Sequence, residues 1–280
     1  MDSLEQLTGL YFELSNPDRV RILQVLQNAP EKLTELATTI DTTHQQCLRH
    51  LKRLTEIQLV EKNQDGLYHL TSYGDLVLQL TPSLSFVSNN SEYFSNHSLS
   101  HFPNEFVSRI GDLSKSALIS NVMEALSEVE SIIKASEEYI NVIIDKRTRS
   151  IRPYIADAIR RDVQLKSISI TSYTPTLDVK RDINFRDEQD IIQAETTGAV
   201  MVADQTVFQV YLYLSEKTAF IAFPHNDDSF DYTGFLSSDP RAVKFCGDLF
   251  EYYWSKTNII PAAELVNRHK RYLEYFGFNP

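Results

Sequence analysis

The chain has little cysteine: two residues in 280, Cys47 and Cys246. That is too few and too far apart for a disulfide framework or a cysteine-rich metal site, so no metal site is expected, and a reducing cytoplasm suits such usage. No stretch approaches about 18 uninterrupted apolar residues, which excludes a membrane span as an expectation. Residues 1–10 mix acids with leucines where a signal peptide would carry a basic and then an apolar run. Walker, dinucleotide, zinc-protease and nucleophile-elbow patterns are missing, so neither a catalytic residue nor a cofactor is expected. Cations are also short: 27 Lys plus Arg against 38 Asp plus Glu give a net charge of -11. Such a mean field repels phosphate and argues against a nonspecific nucleic-acid coat or a polybasic membrane-surface protein, while leaving room for a local basic patch.

What is present is a globular composition, 42% hydrophobic, at a length that favours two domains. Asn16 followed by Pro17 is a helix start, and Ile22, Leu23 and Leu26 give the helix a buried face. Short helices over 34–40 and 43–57, parted at Asp41-Thr42, have helix-turn-helix spacing. Asp65-Gly66 between the apolar runs 59–60 and 67–70 predicts a hairpin, because glycine accepts the positive φ of a tight turn. Helix, turn, helix, hairpin is the order of a winged helix. A Ser/Asn-rich stretch over 83–100 reads as a linker, interrupted by Phe86, Tyr93 and Phe94, and helices follow over 102–110 and 119–135. Strand 139–144, helix 151–161 and strand 164–170 then make a βαβ unit with a parallel sheet. Short β-rich runs at 199–203, 207–214 and 218–223 and a helix over 239–256 complete it. The expected class is α+β: a winged helix-turn-helix in 1–82, a linker and helical connector in 83–135, and a mixed α/β domain in 136–280.

The segment 43–54 carries the function. Its outward positions hold Thr43, His44, Gln45, Gln46, Arg49 and Arg53, which can donate to base edges or phosphates in a major groove. Arg49, Lys52 and Arg53 with no acid give this segment +3 on an acidic chain. The competing reading is the solvated face of a winged helix that binds a protein partner, an adaptor without DNA binding. Double-stranded DNA bound by a homodimer is the principal expectation, with 4–14 and 119–135 as dimer surfaces, because one recognition helix contacts few base pairs.

The segment resembles the ArsR and MarR type winged-helix transcription regulators through Arg49-His50-Leu51-Lys52-Arg53-Leu54, Leu59-Val60, the Asp65-Gly66 wing and Leu70-Thr71-Ser72-Tyr73-Gly74. That resemblance implies Gln45, Gln46 and Arg49 as base readers, and Lys52, Arg53 and Lys62 as phosphate contacts. The metal-sensing members carry a Cys-x-Cys pair where this chain has Leu33-Thr34-Glu35-Leu36-Ala37. Further on, Tyr93-Phe94-Ser95-Asn96-His97, Arg152-Pro153-Tyr154 and Phe250-Glu251-Tyr252-Tyr253-Trp254 are similar to the archaeal methanogenesis-regulator (Fil-type) family, in which a winged helix precedes a module of unknown ligand. Asp162 stands where that family usually has glycine. The arrangement also looks like the phospholipase D related effector domain of the TrmB sugar regulators. Phospholipase D chemistry needs a histidine two positions before a lysine, and neither histidine of 136–280, His225 or His269, has one, so this domain is expected to be non-catalytic. A small-molecule effector would then bind at the C-terminal strand ends, with Asp145, Lys146, Arg147, Tyr173, Asp204 and Trp254 as candidates.

Overall fold

The computed structural model describes residues 2–144, 149–170, 184–205 and 210–275. The chain divides into two compact units, Met1–Leu84 and Ser85–Pro280.

In the first unit, α1 (Ser3–Leu14) is followed by α2 (Pro17–Asn28), which starts where the sequence places it: the Asn16 side chain accepts from the Arg19 amide at 3.1 Å. Helices α3 (Leu33–Thr39) and α4 (His44–Glu56) are parted by Asp41 at φ 53, a left-handed position at the turn. Strands β1 (Val60–Lys62) and β2 (Tyr68–Leu70) pair antiparallel as the wing, with Gly66 at φ 82, and Glu31 adds a bridge to Tyr68. Ile22, Leu23, Leu36, Leu51, Leu54 and Leu59 close the core, and Cys47 is buried among them, which pushes its thiol up to about 11. Helix α5 (Ser72–Asn89) runs through the unit boundary. Its Gly74 is required, because a Cβ there would lie 2.1 Å from the Leu59 carbonyl oxygen.

The second unit begins with α6 (Ser91–Asn96), α7 (Asn104–Ser108), a 3-10 turn over Ile110–Leu113, β3 (Ala117–Ile119) and α8 (Val122–Ala135). It continues with β4 (Tyr139–Ile144), α9 (Arg152–Arg160), β5 (Gln164–Ile170), α10 (Phe185–Thr197) and β6 (Val200–Gln205). Then come β7 (Tyr211–Ser215), β8 (Ala219–Ala222), β9 (Gly234–Ser237), α11 (Pro240–Trp254), β10 (Asn258–Ile259) and α12 (Ala262–Tyr275). The sheet order is β10-β6-β5-β4-β7-β8-β9-β3; β4, β5 and β6 are parallel, and the remaining pairs are antiparallel. The anticipated βαβ unit is therefore present as β4-α9-β5, and Asp162, which ends its helical turn at φ 64, takes the left-handed backbone that glycine would supply.

Both faces of the sheet are covered, so β7 and β8 are buried at every position. Leu212 and Leu214 of β7 join the core beneath α11, while Tyr211 and Tyr213 join the core beneath α8 and α9. The reading of 83–135 as linker and connector is corrected from Ser85 onward. Phe86, Tyr93, Phe102 and Phe106 are buried in the α11-side core, so the Ser/Asn-rich composition is the solvent side of packed helices. The expectation that 119–135 offers a dimer surface is corrected too. Val129 and Ile133, from its apolar stripe, are buried against the sheet of their own unit.

Candidate nucleic-acid interface

Helix α4 is placed by its cap and its apolar side. Thr43 accepts from the Gln46 amide at 3.2 Å, and Cys47, His50, Leu51 and Leu54 face the core. Thr43, His44, Gln45, Gln46, Leu48, Arg49 and Lys52 are all exposed, as are Thr55 and Glu56 at the far end of the helix. The Gln46 side-chain oxygen accepts from the Thr42 and Thr43 hydroxyls at 3.0 and 3.1 Å, which fixes the amide at the helix start. Arg49 and Lys52 form no ion pair among the described residues, so their charges face solvent. Leu48, 48% exposed, lies among these polar groups as an apolar contact.

Arg53 does not belong to this row. Its guanidinium is held by Glu13 of α1, with Nε 3.0 Å from one carboxylate oxygen and Nη2 2.5 Å from the other. Arg19 approaches the same carboxylate at 3.2 Å, and its Nε donates to the Glu13 carbonyl at 2.6 Å. The hydrogen bond from Arg53 holds the Glu13 carboxyl below its usual range, against its burial and with the help of the Arg19 charge. Arg53 therefore ties α4 to α1, with its charge engaged by Glu13 while its side chain stays 42% exposed. Glu13 is 40 positions away in sequence, so spacing within α4 could not disclose it.

Lys62 is exposed on the wing, its ammonium 5.2 Å from the Tyr68 ring centroid. The loop beyond it closes on Asn63, whose side chain accepts from the Leu67 amide at 2.9 Å and whose amide donates to the Leu67 carbonyl at 2.9 Å. The interface thus presents side-chain amides at one end of α4, two unpaired cations along it and one cation on the wing.

The effector candidates part company. Asp145, Lys146, Arg147 and Tyr173 lie outside the described residues. Asp204 accepts from Arg268 at 3.0 Å, and Trp254 stacks on Phe250 with its centroid 5.6 Å away. The second unit instead holds an apolar cavity of about 80 Å³ over β4, β5 and β6, with Arg152, Ser167, Glu195 and Tyr213 as its polar wall. Beside it, Arg152 Nε donates to Glu188 at 2.6 Å, and the His269 ring lies 2.6 Å from Glu188 and 3.1 Å from Glu195. Burial disfavours charge on both His269 and Glu188, but the hydrogen bonds between them prevail. The His269 imidazole is raised, and the Glu188 carboxyl is held at about 2.

The family described as the HVO_A0261 N-terminal domain matches residues 8–88. Over 275 residues the chain is 19% identical to the methanogenesis regulatory protein FilR1 of Methanothrix harundinacea (strain 6Ac), covering 95% of this chain and 61% of that protein. The chain therefore spans about three fifths of the relative's length. Among solved structures, TrmBL2, an archaeal chromatin protein with a novel mode of DNA binding, gives a TM-score of 0.42 at 14% identity, over 88% of this chain and 94% of that one. The phospholipase D family member Nuc from Salmonella typhimurium gives 0.37 at 10% identity, over 52% of this chain and 99% of its own.

Proposed function

We propose that this chain is a sequence-specific DNA-binding transcription regulator, acting as a cytoplasmic homodimer whose α/β unit senses a small ligand. The observation that carries the reading is the outward face of α4, where Gln45, Gln46 and Arg49 stand exposed with Lys52 and no acid among them. Side-chain amides and arginine are the groups that pair bidentately with adenine and guanine in the major groove, and exposed Leu48 offers an apolar contact of the kind a thymine methyl accepts. The similarity to FilR1, itself a regulatory protein by name, supports the assignment. Dimerisation is supported by Leu4, Leu7 and Tyr11 on α1 and Leu76, Leu80 and Leu84 on α5, two helical stripes of exposed apolar side chains. Ligand sensing is supported by the apolar cavity with its few polar groups. A phosphodiesterase activity is not expected, since no histidine of the second unit precedes a lysine by two positions.

The same exposed Leu48 and the single wing cation, Lys62, favour a second reading, an adaptor that binds protein through α4. A gel-shift against the upstream region of the chain's own operon separates the two. DNA binding predicts a sequence-selective shift that weakens steeply with salt and is lost in Arg49→Ala. An unselective or missing shift, unchanged by that substitution, supports the adaptor. A thermal-shift screen of a metabolite panel on the full chain tests ligand sensing, because a bound effector raises the transition by mass action.

A further inference from the structure

Away from α4 and the cavity, three metal-ligating side chains converge in the second unit: His97 at the end of α6, and His225 and Asp231 in the segment between β8 and β9. One ligand atom from each lies within 4.8 Å of the others. His97 Nε2 is 3.4 Å from Asp231 Oδ1, and His225 Nε2 is 3.3 Å from Asp231 Oδ2. Ligand atoms on a tetrahedron with bonds of about 2.0–2.1 Å stand roughly 3.3 Å apart, so the spacing suits a small dication.

The surroundings of each ligand support that role. His97 Nδ1 lies 2.8 Å from the Tyr93 carbonyl, an atom that only accepts, so the ring proton sits on Nδ1 and the Nε2 lone pair faces Asp231. A lone pair against a carboxylate is repulsive unless a cation lies between them or the ring takes a second proton. The Nδ1–H to carbonyl bond is the outer-shell contact that metal-binding histidines ordinarily make. The ring is buried and stacked on Tyr93, with centroids 3.7 Å apart and planes at 5°. Asp231 is oriented in turn: the Thr233 amide donates to Oδ1 at 2.9 Å, and the Thr233 hydroxyl lies 2.9 Å from each carboxylate oxygen. Tyr93 Oη accepts from the Phe223 amide at 3.0 Å and donates to the Thr233 carbonyl at 3.1 Å, joining the elements that carry the three ligands. His225 and Asp231 are about one-third exposed, which leaves a side open to solvent for a fourth ligand.

We propose that His97, His225 and Asp231 form a binding site for one borderline transition-metal dication of the zinc class, with a water completing the coordination. Two imidazoles and one carboxylate are a donor set for zinc and its neighbours and a poor one for calcium or magnesium, which prefer oxygen alone. The expectation of no metal site rested on the scarcity of cysteine, which bears on thiolate ligands alone.

The test uses the full, tag-free chain, stripped with chelator and titrated with Zn²⁺ by calorimetry and with Co²⁺ by visible spectroscopy. The expected result is one equivalent of Zn²⁺, competed by Co²⁺ with tetrahedral d–d bands, and an upward thermal shift with Zn²⁺ that Ca²⁺ does not produce. His225→Gln and Asp231→Asn change partly exposed side chains and are expected to lose the equivalent, the bands and the shift, while melting close to the parent without metal. Exposed His101→Gln is expected to retain all three. Failure to bind near-stoichiometric Zn²⁺ at ~100 μM, or binding undiminished in both His225→Gln and Asp231→Asn, would overturn the proposal and leave an ordinary histidine–aspartate contact.

Discussion

The two units use charge in opposite ways. On α4, Arg49 and Lys52 face water in no ion pair among the described residues, whereas in the second unit Arg152 and His269 are enclosed with Glu188 and Glu195. An unpaired surface cation adds little to folding and remains available for a partner, because water already solvates it. A buried cation must be neutralised on the spot, and loss of its acid leaves an uncompensated charge in a medium that cannot screen it. Within the first unit Arg53 marks the border: one helical turn beyond Arg49, it is bound by Glu13. A count of positive charge along α4 therefore overstates how much of it the helix leaves unpaired.

The sharpest way to break this contrast is Glu188→Ala. It removes the buried carboxylate that Arg152 and His269 share, and we expect a loss of about 3–5 kcal/mol in the stability of the second unit, read by denaturant titration. Retention of full stability would show that the enclosed charges are solvated. The same group sets an acid limit. Its carboxyl is held at about 2 against an ordinary 4.5, so its stabilisation is complete above 4.5 and is lost as pH falls towards 2. His269 acts on the other side: its raised imidazole stabilises fully below its ordinary 6.5, and that contribution is lost as pH rises through the elevated value. A melting-temperature series in pH should show both flanks, and His269→Gln should flatten the alkaline one.

Arg49→Ala comes next in size. We expect DNA affinity to fall by about 1–3 kcal/mol, with relaxed selectivity at one base position and an unchanged melting temperature. A drop in melting temperature equal to that of Arg53→Ala would erase the distinction between the two arginines. Lys62→Ala should have the smallest effect, a loss spread evenly over sequences that lowers the salt slope by about 1.

The parts of the fold legible in the sequence are those decided within a few residues. Asn16-Pro17 and Thr43 start helices because their side chains or rings meet the needs of a helix N-terminus, and Asp65-Gly66 turns the wing because of glycine's φ. Helix α10 escaped the reading of apolar periodicity because Asp187, Glu188 and Glu195 occupy buried positions where an apolar stripe would run. They are tolerated there by arginines and a histidine from α9 and α12. Helix α8 shows the reverse, an amphipathic stripe correctly seen and wrongly assigned to a partner, since periodicity says that a face is covered and not by what.

The sequence by itself determined the winged helix, the donor-bearing face of α4 and the parallel core of the α/β unit, because caps, turns and hydrophobic period act over short spans of chain. Only the tertiary structure decided that Arg53 belongs to Glu13, that Arg152, Glu188 and His269 share one enclosed network, and that His97 meets His225 and Asp231. Those partners are separated by 36 to 134 positions, and which charges meet across such distances is set by how helices and strands pack, information that no local pattern carries.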